Sequence, residues 1–244
     1  MNFFTAQEDN FLLRQPGTGE WFLKSATFQN WVSGDGETLW TPGIPGAGKT
    51  ILASIIIDEL RRNFEHSPGV RIAGAYCSYR DQQAQTLFNM LSGLWRQVID
   101  QDAAHSNDIQ ELYRRHRDSK RQPSLNDLMR IFGNEVQKHS RLFVVIDALD
   151  EMPDSMCSEF IKRIRSLSPK LNLLVTSRKL ESIAELFAGR PTFPIGAQNE
   201  DLITFIEARI AREPKLSKVM KQFPGLQKDT VATILEKSEN MFVV

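Results

Sequence analysis

A glycine-rich run in the first quarter of the chain has the residue types of a phosphate-binding loop. It reads Gly43-Ile44-Pro45-Gly46-Ala47-Gly48-Lys49-Thr50. The glycines allow a tight turn whose backbone N–H groups converge on an anion, and the amino end of the following helix adds its positive dipole. We expect Lys49 to reach the β- and γ-phosphates and the Thr50 hydroxyl to ligate Mg²⁺. The pattern predicts that these residues, with Ile51, bind ATP or GTP.

An acidic segment follows the most apolar stretch of the sequence. Residues 142–146 are entirely apolar and end in Asp147-Ala148-Leu149-Asp150-Glu151. In an open parallel sheet, ligands bind beyond the carboxyl ends of the strands. Asp147 is therefore expected beside the phosphate loop, where its carboxylate would hold Mg²⁺ directly or through water.

The next two acids are candidates for activating water. Asp150 and Glu151 lie just past the metal aspartate, close enough to orient or deprotonate an attacking water. The alternative is a solvated acidic loop that caps the helix predicted near Ser155. We expect a catalytic role for at least one of them, and the sequence does not choose between the two.

An arginine stands at the end of a further apolar strand. Ser177-Arg178 follows residues 171–176, so the same strand-end rule directs Arg178 toward the nucleotide. A fixed guanidinium there could bind the γ-phosphate. The alternative is a surface arginine paired with a carboxylate, a contact of little energetic value.

Two other groups of charged residues are weaker candidates. Arg80-Asp81 also follows a predicted strand and could approach the site, or could form a plain turn. Residues 114–121 contain a basic cluster without interleaved aromatic residues, which favours a solvated helix end over a nucleic-acid surface.

Alternating helical and extended patterns position these groups. Strands are predicted at residues 38–41, 71–79, 142–146, 171–176 and 192–195. Helices are predicted after Lys49 and at 83–99, 107–117, 124–138, 155–167 and 183–187. Strands that are apolar on both faces indicate a mainly parallel sheet covered by helices on each side, a three-layer α/β/α fold. From residue 199 only helical pattern remains, at 201–212, 215–222 and 229–237.

Composition limits the class of protein. The 244 residues contain 30 basic and 30 acidic side chains, so no net charge favours nucleic acid or an anionic membrane as a partner. The two cysteines are far apart, no signal peptide is recognisable and no apolar run approaches the roughly 20 residues of a membrane span. We therefore expect a cytoplasmic protein. The apolar end at residues 241–244 predicts a fragment of a longer polypeptide.

Four segments resemble the NACHT domain of the STAND class of signalling NTPases, most closely those of fungal NOD-like receptors. They are residues 16–22, 40–50 and 147–151, together with Leu174-Val175-Thr176-Ser177-Arg178. The resemblance covers about residues 14–244. It implies a lead-in segment at 1–36, a P-loop NTPase core at 37–197 and a small helical domain at 198–244.

The resemblance also implies how such a domain works. It would rest with ADP, self-associate with ATP and hydrolyse slowly, within a longer protein that has an amino-terminal effector and carboxyl-terminal repeats such as ankyrin repeats. Thr18 and Gly19 would lie near the adenine, and Arg178 would match the sensor arginine. Relatives clamp adenine with a Gly-x-Pro, whereas residues 239–241 of this chain read Glu-Asn-Met.

Two other functions remain open. A remodelling ATPase of the AAA+ kind would turn over quickly and would use a second sensor arginine, for which Arg209 and Arg212 are candidates. A P-loop kinase for a small molecule would need a basic lid, for which residues 114–121 are the candidate.

Overall fold

Four parallel strands form the central sheet. The computed structural model describes residues 2–99, 124–239 and 241–242. Within them the strand order is β1-β4-β3-β2, with every pairing parallel. The strands are β1 (Thr38–Pro42), β2 (Val70–Tyr76), β3 (Arg141–Asp147) and β4 (Leu171–Ser177). Nearly all of their residues are buried, which is why they appear as apolar runs rather than as alternating patterns.

Helices connect the strands and cover the sheet. The crossover from β1 to β2 runs across the sheet in the opposite sense to the steps from β2 to β3 and from β3 to β4. Because such crossovers are right-handed, opposite senses put the connecting helices on opposite faces. The helices are α1 (Phe3–Leu12), α2 (Glu20–Leu23), α3 (Ala26–Ser33), α4 (Lys49–Asn63), α5 (Leu87–Ile99), α6 (Leu125–Gln137), α7 (Asp154–Arg165), α8 (Glu181–Leu186), α9 (Asn199–Arg212), α10 (Pro214–Gln222) and α11 (Pro224–Lys237).

The strand order brings the phosphate loop, Asp147 and Arg178 together at the carboxyl ends of neighbouring strands. β1, β4 and β3 are neighbours, and their carboxyl ends lead into the phosphate loop, Arg178 and Asp147 respectively. The backbone N–H of Gly43 donates to the carbonyl of Ser177 at 3.0 Å, which ties the start of the loop to the end of β4.

The predicted strand at residues 192–195 is not a continuous strand. It forms two isolated parallel bridges, Trp40 with Thr192 and Gly43 with Ile195, along the outer side of β1. Pro194 lies between the two bridging residues, and a proline has no N–H to donate to a ladder. This segment therefore extends the sheet only at single residues.

One predicted helix begins later than expected, and another cannot be compared with the structure. The helix predicted from residue 83 begins at Leu87, because residues 79–85 form turns instead. The helix predicted at 107–117 lies outside the described residues. In addition, the unpredicted helix α1 buries Phe3 together with the polar Gln7, so its inner face does not appear as an apolar stripe.

The outer edge of β2 is covered by a side-chain amide. Gln97 of α5 is 2% exposed, accepts a hydrogen bond from the Gly74 N–H at 3.0 Å and donates one to the Gly74 carbonyl at 2.7 Å. Both outward backbone groups of that residue are thus satisfied, as a buried edge requires.

The last three helices have a small apolar cluster of their own. Ile206 and Ile210 of α9 pack with Met220 of α10 and Val231 of α11. The main cluster surrounds the sheet. Within the described part of the chain, no helix is both long and apolar enough to cross a membrane.

Candidate nucleotide-binding site

The phosphate loop has the left-handed turns that its glycines allow. Gly46 and Gly48 have φ angles of 73° and 83°, which strain residues with a side chain. Gly48 immediately precedes α4, so the amino end of this helix opens at the loop. Backbone N–H groups and the helix dipole at this point favour an anion.

Lys49 folds back over the loop. Its Nζ atom donates to the carbonyls of Gly43 at 3.0 Å and Ile44 at 2.9 Å. Burial lowers the pKa of Lys49, and the charges of Asp150 and Asp147 act against that shift. The ammonium is therefore held over the loop by weak neutral acceptors that a phosphate can replace.

Asp147 lies directly against Thr50. Its Oδ2 atom accepts a hydrogen bond from Thr50 Oγ1 at 2.7 Å, and its Oδ1 atom accepts one from Thr176 Oγ1 at 2.6 Å. The residue is 2% exposed. Burial raises the pKa of the Asp147 carboxyl, while the two hydroxyls and the charge of Lys49 oppose the rise.

The chain turns sharply after Asp147. Ala148 has φ 54° and ψ 48°, in the left-handed region, and its N–H donates to Thr176 Oγ1 at 2.9 Å. A short 3-10 turn, Leu149–Glu151, follows and returns the two acids to the edge of the sheet.

Asp150 and Glu151 have different surroundings, although they are adjacent in the sequence. Both oxygens of Asp150 are occupied by Arg178, whose backbone N–H donates at 2.9 Å and whose Nε donates at 2.5 Å. The Asp150 side chain is 4% exposed. Glu151 is half-buried, and its Oε2 atom accepts from the backbone N–H of Tyr79 at 3.0 Å.

Arg178 combines the two roles considered for it from the sequence. It is paired with a carboxylate, that of Asp150, as the alternative to phosphate binding predicted. Its side chain is nevertheless 39% exposed and lines a cavity beside the phosphate loop. The hydrogen bond and charge of Asp150 raise the pKa of Arg178 further, so the guanidinium stays charged. Its Nη2 atom donates to the hydroxyl of Tyr79.

Tyr79 is a site residue that the sequence did not single out. Only its neighbours Arg80 and Asp81 were candidates, and neither lines the cavity. An aromatic residue in a turn after a strand has no local signal of this role, because its partners Asp150 and Arg178 are 71 and 99 residues away in the sequence.

The phosphate-side cavity has a volume of about 450 Å³. It is bounded by the phosphate loop and the ends of β2, β3 and β4, with lining residues Pro45, Gly46, Gly48, Lys49, Thr50, Ile51, Tyr79, Ala148, Asp150, Glu151, Arg178 and Phe242. The remaining loop candidates, Gly43, Ile44 and Ala47, support the loop without lining this cavity.

A second, mainly apolar cavity of about 100 Å³ adjoins the first one. Thr18 and Gly19 lie on its wall, together with Trp21 and residues of α4 and α9. Asp201 of α9 accepts hydrogen bonds from the Gly19 N–H at 2.8 Å and from Trp21 Nε1 at 3.0 Å. The lead-in loop is thus fastened to the first of the final helices.

Phe242 lies between the two cavities and lines both. Its N–H donates to the Gly46 carbonyl at 2.7 Å, and its ring packs edge-on against Phe205 at 5.9 Å between centroids. In the sequence, residues 239–241, which stand where relatives have the Gly-x-Pro of the adenine clamp, are thus followed directly by an aromatic residue that contacts the phosphate loop.

The remaining candidates lie elsewhere. Arg209 and Arg212 are exposed on α9, and Arg212 donates to the Gln15 side chain at 3.2 Å. The basic cluster at 114–121 lies outside the described residues. Cys77 and Cys157 are buried free thiols, and burial raises the pKa of Cys157 to about 11.

The donor set suits a magnesium nucleotide. A hydroxyl and a carboxylate oxygen meet at 2.7 Å, and oxygen ligands of this kind are what Mg²⁺ prefers. A cation there would also offset the burial of the Asp147 charge. Thr50 lines the phosphate-side cavity, to which Lys49 and Arg178 supply positive charge, whereas the buried Asp147 lies behind Thr50 and is not among the lining residues.

Comparisons with known proteins give a family and a curated relative. The family described as nephrocystin 3, N-terminal, matches residues 17–178. Vegetative incompatibility protein HET-E-1 of Podospora anserina is 30% identical over 173 residues, which are 68% of this chain and 12% of that protein. The chain therefore spans a small part of this curated relative.

A solved structure matches the fold. The crystal structure of Cdc6p from Pyrobaculum aerophilum aligns with 81% of this chain and 50% of its own, with a TM-score of 0.52 and 12% identity. At this identity the likeness concerns the fold alone. It confirms the predicted α/β architecture with a parallel sheet between helices.

Proposed function

Because the chain belongs to the nephrocystin 3, N-terminal, family and is a NACHT-type P-loop NTPase of the STAND class, we propose that it is a Mg²⁺-dependent ATP switch. The resemblance predicted from its motifs is thereby confirmed. The proposed switch rests with ADP, hydrolyses ATP slowly and self-associates when ATP is bound. It would serve a signalling protein in the cytoplasm.

One observation carries the proposal. The Thr50 hydroxyl, on the first turn of α4, lies 2.7 Å from the Asp147 carboxylate at the end of β3, although 97 residues separate them. A hydroxyl and an acid in these positions are the protein ligands that hold Mg²⁺ against the β- and γ-phosphates in P-loop NTPases. When bound, Mg²⁺ would neutralise charge on the phosphates during hydrolysis.

The chain's own groups would bind the rest of the nucleotide. Lys49 would exchange the carbonyls of Gly43 and Ile44 for phosphate oxygens, which form stronger charge-assisted bonds. The apolar cavity beside Thr18, Gly19 and Trp21 would receive the base. The sequence has no Asn-Lys-x-Asp motif for guanine, which favours ATP over GTP.

The unequal surroundings of the two acids support a choice of base. Both oxygens of Asp150 are engaged by Arg178, so this carboxylate is better suited to anchoring the arginine. Glu151 is less buried, and among the residues that the structure describes its hydrogen-bond partner is the Tyr79 N–H, which donates to Oε2. We assign Glu151 as the group that orients or deprotonates the attacking water.

The wider setting of the switch is part of the proposal. The relative HET-E-1 is named for vegetative incompatibility, and this chain corresponds to 12% of it. We extend to this protein a signalling role, with an effector before the NTPase core and repeats after the helical segment. The boundaries at residues 36 and 197 belong to the same proposal.

A remodelling ATPase of the AAA+ kind is the alternative to test. It would require rapid turnover and a sensor arginine from the last helices. Arg209 and Arg212 are not among the residues that line the phosphate-side cavity. Turnover in the common enzyme range of about 1–10³ per second would favour this alternative over a switch.

The test begins with the purified chain. Released nucleotide is identified by chromatography, and turnover is measured with Mg-ATP. Retained ADP with turnover well below about one per second supports the switch. Lys49→Ala should abolish triphosphate binding in a titration, whereas Lys170→Ala, a lysine outside both cavities, should bind normally. Unchanged affinity in Lys49→Ala would refute the phosphate-loop assignment.

A further inference from the structure

Tyr79 joins the ends of three strands at the rim of the phosphate-side cavity. It begins the short 3-10 turn Tyr79–Asp81 that follows β2. Its hydroxyl donates to the Asp150 carbonyl at 3.2 Å and accepts from Arg178 Nη2. Its backbone N–H donates to Glu151 at 3.0 Å. One residue therefore contacts the proposed base and the proposed phosphate-binding arginine.

The hydroxyl and the ring fix the arginine in different ways. The Arg178 Cζ atom lies 5.8 Å from the centroid of the tyrosine ring, within the range of a cation–π contact. The tyrosine is 50% exposed, yet its hydroxyl has two partners. Because hydrogen bonds fix the Tyr79 hydroxyl, its ring and hydroxyl can restrict the movement of the Arg178 guanidinium.

Within the described part of the chain, Arg178 keeps N–H groups available to a ligand despite these contacts. Asp150 takes the Nε–H and Tyr79 takes one N–H of Nη2. Among the described residues the other three N–H groups of the guanidinium have no partner, and the side chain lines the cavity. The Asp150 carboxylate offsets part of the positive charge of the guanidinium. The neutral Tyr79 hydroxyl holds the guanidinium without offsetting its charge.

We propose that Tyr79 is a positioning residue that holds Arg178 toward the phosphate-side cavity and so sets the preference of the site for a triphosphate over a diphosphate. This inference rests on the function proposed above. Without the tyrosine hydroxyl, Asp150 would still hold Nε, but the Nη2 end of the guanidinium would have to be ordered when a terminal phosphate binds, which is unfavourable. ADP, which has no terminal phosphate at that position, would be bound equally well without the tyrosine hydroxyl.

The experiment compares wild type, Tyr79→Phe, Arg178→Ala and the double variant. Tyr76→Phe is the matched control, since the Tyr76 hydroxyl donates to Gln7 and the residue does not line the cavity. Affinities for Mg-ADP and for a non-hydrolysable ATP analogue are measured by titration, and hydrolysis is measured in single turnover.

Tyr79→Phe should lower triphosphate affinity and the hydrolysis rate by about five- to tenfold, the range of one ordinary hydrogen bond, with ADP affinity within about twofold. In the Arg178→Ala background the same change should have an effect below about twofold, because coupled residues are not additive. The Tyr76→Phe control should keep the wild-type preference.

Three outcomes overturn the inference. They are a wild-type preference in Tyr79→Phe, an equal loss of ADP affinity in that variant, or an undiminished effect in the Arg178→Ala background. Failure of the proposed function looks different, because then wild type itself would not bind the ATP analogue or would bind it without Lys49.

Discussion

At the scale of single residues, residue types and their positions after strands predicted which groups would come together, but not the contacts among them. The glycine loop, Asp147 and Arg178 were all expected at one end of the sheet because each follows a predicted strand. The contacts that distinguish Asp150 from Glu151 depend on Arg178 and Tyr79, which come from other strands. Sequence spacing does not reveal such pairings, so the sequence left both acids open, and the proposal that favours Glu151 rests on these contacts.

This difference leads to a prediction for the two acids. Glu151→Gln should slow hydrolysis by about 10²-fold or more, as expected for loss of a general base, with Mg-ATP still bound. Asp150→Asn should slow it by only about tenfold, because the amide oxygen can still accept one bond from Arg178. Single-turnover rates and nucleotide titrations check both variants. Equal rates in the two variants, or a slower Asp150→Asn, would show that the base has been assigned to the wrong acid.

At the scale of elements, the sequence predicted helices and strands where apolar periodicity was strong. The four strands of the sheet and the helices after residue 199 follow their predicted positions within a few residues. Helix α1 was missed because its buried face includes Gln7, whose side chain donates to the Ser54 carbonyl. The strand at 192–195 was overestimated because Pro194 interrupts its pairing.

Asp201 shows how one side chain connects two elements. It belongs to α9 yet accepts from Gly19 and Trp21 of the lead-in segment. Burial raises the pKa of its carboxyl above the ordinary value of 3.8, while these two hydrogen bonds oppose the rise. The folded state therefore holds this proton to a higher pH than the unfolded chain does, so the contribution of Asp201 to stability falls as pH rises above about 4.

The prediction compares two replacements of Asp201. Asp201→Ala should lower the free energy of unfolding by about 1–3 kcal/mol at pH 7, since two donors lose their acceptor. Asp201→Asn keeps an acceptor without a charge and should be at least as stable as wild type at pH 7. Urea unfolding between pH 4 and pH 7 checks both. If wild type and Asp201→Asn show the same pH dependence, the Asp201 carboxyl is not the group responsible.

At the scale of the whole molecule, the proposed site lies where the sheet and the final helices meet. The apolar cavity has walls from the lead-in loop, α4 and α9, and Phe242 lies between this cavity and the phosphate side. The fold class could be predicted because parallel strands and covering helices have strong patterns. The contact of Phe242 with Gly46 could not, because a single hydrogen bond between distant segments leaves no periodic signal.

A ligand held between these parts should stabilise the fold as a whole. At 100 times its dissociation constant, Mg-ADP should add about 2.7 kcal/mol to the free energy of unfolding. Chelation of Mg²⁺ with EDTA should remove part of this gain, and Lys49→Ala should show none. Thermal unfolding with and without nucleotide provides the measurement. An equal gain in wild type and Lys49→Ala would place the nucleotide outside the phosphate loop.

The outer sides of the two edge strands, β1 and β2, are covered at some positions, which affects how copies of the chain could pair. Gln97 occupies the outward backbone groups of Gly74 on β2, while residues 191–195 bond to Trp40 and Pro42 beyond β1. Exposed strand borders are the usual templates for intermolecular β-pairing and for fibril growth. Because each border of this sheet is engaged at these positions, a second copy could not extend the sheet there by backbone pairing, and the self-association proposed above would use side-chain surfaces instead.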